Sequence, residues 1–127
     1  MSLFVLDASA LLALFLEEPG ADRVLSALRQ CEISSVNAAE VGARLSDRGY
    51  DLDELYSDLR EMGLAITAFD AGQAEASSRL RSVTKALGLS LGDRACLALA
   101  LCRSAKVLTA DRAWMSLSLE TEIQLIR

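Results

Sequence analysis

Short apolar runs alternate with longer stretches of helical periodicity along the chain. Leu3, Phe4, Val5 and Leu6 make a wholly apolar run that stops at Asp7, and a helical pattern follows over residues 8–16. Glu17, Glu18, Pro19 and Gly20 break it, and Pro19 can open the next helix at its first turn, where a missing N–H does no harm. Val24, Leu25 and Leu28 then form a stripe that ends near Gln30. Residues 32–36 read as a second, weaker strand, with a helix over 38–48 stopped by Gly49. Leu52, Leu55, Tyr56 and Leu59 give the apolar face of a helix over 51–62, and Gly63 sits where a helix-ending glycine belongs.

The second half repeats the alternation. Residues 64–69 read as a third strand and 70–83 as an amphipathic helix. After a loop with Gly88 and Gly92, residues 93–104 are apolar nearly all round, the mark of a buried crossover helix. A fourth strand over 106–109, a short helix over 111–117 and a last strand over 123–126 complete the chain. Apolar strands separated by helices call for an α/β fold, a mostly parallel sheet with helices on both faces. With no repeat, linker or low-complexity segment, residues 1–127 are expected to form a single domain.

Composition narrows the chemistry. Of 127 residues, 52% are hydrophobic and only 5% aromatic, so the core rests on Leu, Ala, Val and Ile. A net charge of -5 argues against a general nucleic-acid coat protein, whose affinity comes from Lys and Arg. It leaves room for a nuclease that approaches one phosphate through metal ions. The chain has no His, which removes Ser-His-Asp triads, Cys-His pairs and His-ligated zinc. Cys31, Cys96 and Cys102 are odd in number and form no C-x-x-C pair. They are expected to be inert, reduced thiols, which suits the cytoplasm. The opening apolar run is short, lacks a basic leader and is interrupted by Asp7, and the later run over 95–102 is far too short for a membrane span.

Five acids fall just after a strand or at the start of the next helix: Asp7, Glu40, Asp70, Asp93 and Asp111. In a parallel sheet all of them face the carboxyl edge, where open α/β folds bind ligands. Carboxylates held close repel one another, and divalent ions relieve that repulsion. Mg²⁺ and Mn²⁺ favour oxygen ligands, so an acidic cluster without His suits metal-dependent phosphoryl chemistry. Each acid is equally well placed as a helix cap. Asn37-x-x-Glu40 and Ser90-x-x-Asp93 both match a capping box, and Asp7, Asp70 and Asp111 can each cap a helix. The two roles are compatible. Caps alone do not require Ser9 and Thr109, whose hydroxyls stand next to Asp7 and Asp111 in this pattern.

At these residues the chain resembles a known family. The blocks Val5-Leu6-Asp7-Ala8-Ser9-Ala10-Leu11, Ser34-Ser35-Val36-Asn37-Ala38-Ala39-Glu40-Val41, Leu89-Ser90-Leu91-Gly92-Asp93-Arg94-Ala95-Cys96 and Val107-Leu108-Thr109-Ala110-Asp111-Arg112-Ala113-Trp114 match PIN-domain motifs in order and spacing. They are most similar to the VapC-type toxins of bacterial toxin–antitoxin pairs. The resemblance implies a three-layer α/β/α domain with strand order 3-2-1-4-5. It implies a ribonuclease in which Asp7, Glu40, Asp93 and Asp111 hold Mg²⁺ or Mn²⁺, supported by Ser9 and Thr109, with a metal-activated water as nucleophile. A homodimer and a cognate antitoxin that covers the site follow from the same likeness. Some relatives carry another acid two positions past the last Asp, where this chain has Ala113, which weakens the hold on a second ion. In that strand order Asp70 follows an edge strand, so capping is its expected task.

Other functions need features the chain lacks. A receiver domain phosphorylated on Asp70 needs an acidic pair after the first strand and a Lys after a later one; only Asp7 is present, and Lys106 precedes the fourth strand. A haloacid-dehalogenase-type phosphatase needs Asp where Ser9 stands. A non-catalytic PIN-fold binding module would not require the quartet. Arg44, Arg48, Arg94 and Arg112 lie near the proposed edge and can either steer RNA phosphates or serve as solvated helix charges. Trp114 is expected in the core rather than stacked on a base.

Overall fold

The computed structural model describes residues 2–127. The strands β1 (Phe4–Leu6), β2 (Cys31–Ser34), β3 (Ala65–Thr67), β4 (Lys106–Thr109) and β5 (Ile123–Leu125) form one sheet. Its order is β3-β2-β1-β4-β5, and every neighbouring pair is parallel. Leu6 lies level with Ile33 on one side and Leu108 on the other. The residues that follow these three, Asp7, Ser34 and Thr109, therefore stand abreast at the carboxyl edge of the sheet.

Alternation along the strands divides the core in two. Leu6, Ile33 and Leu108 face one layer, made of α1 (Ala8–Phe15), α2 (Ala21–Ala27), α3 (Ser35–Asp47) and α4 (Leu52–Glu61). Val5 and Val107 face the other, made of α5 (Ala71–Arg79), α6 (Arg81–Thr84) and α7 (Leu91–Arg103). Val5, Leu6, Ile33, Val107 and Leu108 are fully buried, as a parallel sheet covered on both faces requires. The α/β/α arrangement and strand order expected from the motifs are thus present. So is the buried helix: every residue of α7 from Ala95 to Ala100 is inaccessible to solvent.

The departures are local and have visible causes. α3 begins at Ser35 because the Ser34 hydroxyl accepts from Val36 N at 3.2 Å, so Asn37 lies inside the helix and does not cap it. α2 starts beyond Gly20, leaving Pro19 ahead of the helix rather than in its first turn. The helix expected over 70–83 is interrupted at Leu80, and a 3₁₀ turn (Lys85–Leu87) follows α6. The short segment after β4 is likewise a 3₁₀ helix, Arg112–Ser116, with Trp114 wholly buried. Gly63 does end α4, in the left-handed region at φ 83°. Cys31 and Cys96 are buried, whereas Cys102 is exposed on α7.

A second polar anchor ties the layers away from the carboxyl edge. Glu32 of β2 is 5% exposed and accepts from Thr67 Oγ1 at 2.5 Å and from Arg103 Nε at 3.1 Å. Burial alone would raise its pKa, but the bonds from Thr67 and Arg103 outweigh burial and leave it below the ordinary value. Among the described residues no helix is long and apolar enough to cross a membrane.

Candidate metal centre

Asp7 is the innermost of the acids. It is 4% exposed, and its position at the end of β1 makes it the N-cap of α1, where Oδ1 accepts from Ala10 N at 2.9 Å. Ser9 Oγ donates to the same carboxylate at 2.7 Å, and Thr109 Oγ1 donates to Oδ2 at 2.5 Å. Both hydroxyls also accept from the β4 exit: Ser9 from Ala110 N at 3.0 Å and Thr109 from Asp111 N at 3.0 Å. Burial lifts the Asp7 pKa from 3.8 to about 6, a rise the three hydrogen bonds restrain and the nearby Asp93 charge reinforces.

The partners come from three other elements. Asp93 stands in the first turn of α7 within a complete capping box: Ser90 N donates to its Oδ2 at 2.9 Å, and its own N–H donates to Ser90 Oγ at 3.2 Å. Asp111 caps the 3₁₀ helix through Ala113 N at 3.0 Å. Glu40 is exposed on the second turn of α3 and takes a bond from Asn37 Nδ2 at 2.9 Å. Asp7, Glu40, Asp93 and Asp111 line one cavity of about 260 Å³, together with Ser9, Ser90 and Arg44. A larger hollow of about 460 Å³ lies between α1 and α4, lined by Arg48, Tyr50 and Glu54 among others. It draws nothing from the strand ends and bears no relation to this chemistry.

The donor set fits a hard divalent cation. Every available ligand is a carboxylate or hydroxyl oxygen, the choice Mg²⁺ and Mn²⁺ favour. Room for Glu40 is built in, because a Cβ at Gly92 would collide with its carboxyl group. Among the described residues no three acids enclose an ion by themselves. Water and a substrate phosphate normally complete the shell of Mg²⁺.

The family model of the PIN domain matches residues 4–118. The chain belongs to the PIN domain family. Among curated proteins none matches it in sequence. Solved PIN-like structures share its fold. A toxin-antitoxin complex from Klebsiella pneumoniae is 23% identical, covering 94% of this chain and 98% of that one with a TM-score of 0.74. DNA-bound VapBC from Salmonella typhimurium is 17% identical over the full length of both chains, with a TM-score of 0.72. VapBC2 from Rickettsia felis, bound to a promoter DNA fragment, is 18% identical over 96% of this chain and 97% of that one, with a TM-score of 0.69.

Within this PIN domain the strand-end acids separate as their topology requires. Asp70 caps α5 through Gln73 N at 2.8 Å beside the edge strand β3 and takes no part in the cavity. Of the four arginines near the edge, only Arg44 lines the cavity. Arg48 faces the other hollow, Arg94 donates to Ser77 O at 3.3 Å, and Arg112 donates to Arg127 O at 3.0 Å. Cys96 lies under the acids: burial, with Asp7, Asp93 and Glu40 nearby, holds its thiol well above the ordinary range. Sequence reasoning missed Asn37 and Gly92 as members of the site. The spacing of Asn37 to Glu40 reads as a capping box, and the one signal for Gly92 is its place directly before Asp93.

Proposed function

We propose that this PIN domain is a metal-dependent endoribonuclease, a phosphodiester hydrolase acting as the toxin of a toxin–antitoxin pair in the cytoplasm. One observation carries the reading: four carboxylates from four separate elements line a single cavity, and Ser9 and Thr109 are hydrogen-bonded into it. Asp7 and Asp93 would hold Mg²⁺ or Mn²⁺ most directly, with Glu40 and Asp111 completing the shell partly through water. When bound, the cation neutralises the phosphate and makes water a usable nucleophile near neutral pH. Ser9 and Thr109 orient the Asp7 carboxylate and favour its ionised form, the form that ligates. Arg44, the one cation lining the cavity among the described residues, would meet the phosphate backbone.

The toxin role is supported by likeness to the structures of toxin–antitoxin complexes. On this reading the chain is one catalytic domain that forms a homodimer, and a cognate antitoxin covers the carboxylate cavity. A test of the chemistry is cleavage of a labelled single-stranded RNA by the purified chain with Mg²⁺, with Mn²⁺ and with EDTA. Cleavage requiring either cation and lost in Asp7→Asn and Asp93→Asn is the expected result. RNA left intact by the wild type under all conditions would leave a non-catalytic PIN-fold binding module. The toxin role is read separately, as growth arrest on expression that co-expression of the antitoxin relieves.

A further inference from the structure

The amide of Asn37, bonded to one of the quartet's outer acids, is almost wholly buried, at 1% exposure. Both of its Nδ2 protons are committed: one to Glu40 Oε1 at 2.9 Å, the other to Gly92 O at 2.9 Å. Its Oδ1 is buried and, among the described residues, has no partner. Turning the amide over would press Oδ1 against a carboxylate and a carbonyl, three acceptors together, so the surroundings dictate the orientation. A buried acceptor without a partner costs stability, and an apolar side chain of the same shape would avoid that cost. Asn at this position therefore serves its two acceptors rather than the core.

Glu40 depends on this arrangement. It is a long, exposed side chain, and among the described residues its one hydrogen bond comes from Asn37. Gly92 leaves the space that the Glu40 carboxyl group occupies, since a Cβ there would run into it. The residue after Gly92 is Asp93, so the same contact brings a second acid to the place where Glu40 is held.

We infer that Asn37 is a positioning residue, which fixes the Glu40 carboxylate against the first turn of α7 beside Asp93 and so couples α3 to α7 in divalent-cation binding. The inference rests on the metal-site reading proposed above. A ligand held in place before the ion arrives loses less freedom when it binds, which is why partners behind the ligands influence affinity.

The test is calorimetric titration of the full chain with Mn²⁺, without RNA, alongside thermal unfolding. Four proteins are compared: wild type, Asn37→Leu, Glu40→Gln and the double variant. Leu keeps roughly the shape of Asn and removes both donors and the unpaired carbonyl. Asn37→Leu should unfold at or above the wild-type temperature, yet bind Mn²⁺ about 10–100-fold more weakly. In the Glu40→Gln background the same change should cost nothing further. Losses that add in the double variant, or wild-type affinity in Asn37→Leu, would overturn the inference. Asn37→Ala carries the same cycle if the Leu variant does not fold. A wild type that binds no Mn²⁺ would instead overturn the metal reading itself, which separates the two failures.

Discussion

Thr109 Oγ1 and Asp7 Oδ2 stand 2.5 Å apart although 102 positions separate them in the chain. The bond crosses from β4 to the end of β1, and the same hydroxyl oxygen accepts from Asp111 N. One threonine therefore orients the innermost acid and the backbone of Asp111. Because it donates to the charged carboxylate, it pulls the Asp7 pKa down against the larger effect of burial. Thr109→Val keeps the shape and removes the donor. Asp7 should then titrate above its present value of about 6, and the pH at which Mn²⁺ binding is half-maximal should rise. Calorimetric titrations from pH 5 to 8 would check this, and an unchanged midpoint would contradict it.

Asp7 also sets a pH dependence of folding in the metal-free chain. Its folded pKa, about 6, lies above the value of 3.8 for an unperturbed Asp, so the folded state holds its proton more tightly. The contribution is fully present below pH 3.8 and is lost as pH rises to about 6, amounting to ~3 kcal/mol for a shift of this size. Asp7→Asn should remove that slope and be the more stable protein above pH 6, by ~1–3 kcal/mol, while losing the stabilisation that added Mn²⁺ gives the wild type. Glu32, whose pKa is lowered, acts in a different window: its contribution is present above 4.5 and fades as pH falls below it. Denaturant melts at pH 3, pH 5 and pH 7.5, with EDTA and with Mn²⁺, distinguish the two groups.

Arg44 can be separated from its neighbours by salt dependence. It lines the acid cavity without an ion pair among the described residues, whereas Arg112 is engaged with a backbone carbonyl and Arg48 faces another hollow. Arg44→Ala should weaken RNA binding by an Asp93→Asn background and lower the slope of log K against log salt by about one contact, ~0.7 for a single strand. Arg48→Ala in the same background should leave the slope unchanged. Equal effects from both would mean diffuse attraction rather than a phosphate contact.

Much of this architecture was legible because an apolar run such as residues 3–6 is too short for a helix, and a pair such as Val107-Leu108 falls between a helix and a turn. Strand order was legible only through the family motifs, since periodicity says nothing about which strands are neighbours. The quartet could be listed because each acid follows a strand, and Ser9 and Thr109 could be added for the same reason. Asn37 was misread because its spacing to Glu40 is that of a capping box, while Ser34 was close enough to start the helix earlier. Its second partner, the Gly92 carbonyl, lies 55 positions away, and no local pattern announces such a contact. The break at Leu80 was hidden for a related reason. The Leu80 N–H is shared between Ala76 O and Ser77 O, both at 3.2 Å, a local tightening of the turn that hydrophobic spacing does not register.

The central place of β1 has a consequence for synthesis. β1 can pair with β2 once residues 31–34 have emerged, but its other edge stays open until residues 106–109 follow. At ~5–20 residues per second, a ribosome takes several seconds to bridge that interval. Throughout it Asp7 has neither Thr109 nor Asp111 beside it, and Asp93 arrives only shortly before them. For most of its synthesis the chain thus lacks the assembled carboxylate cluster, and β4, with Asp111 two residues after it, closes the second edge of β1 and gathers the acids in one step.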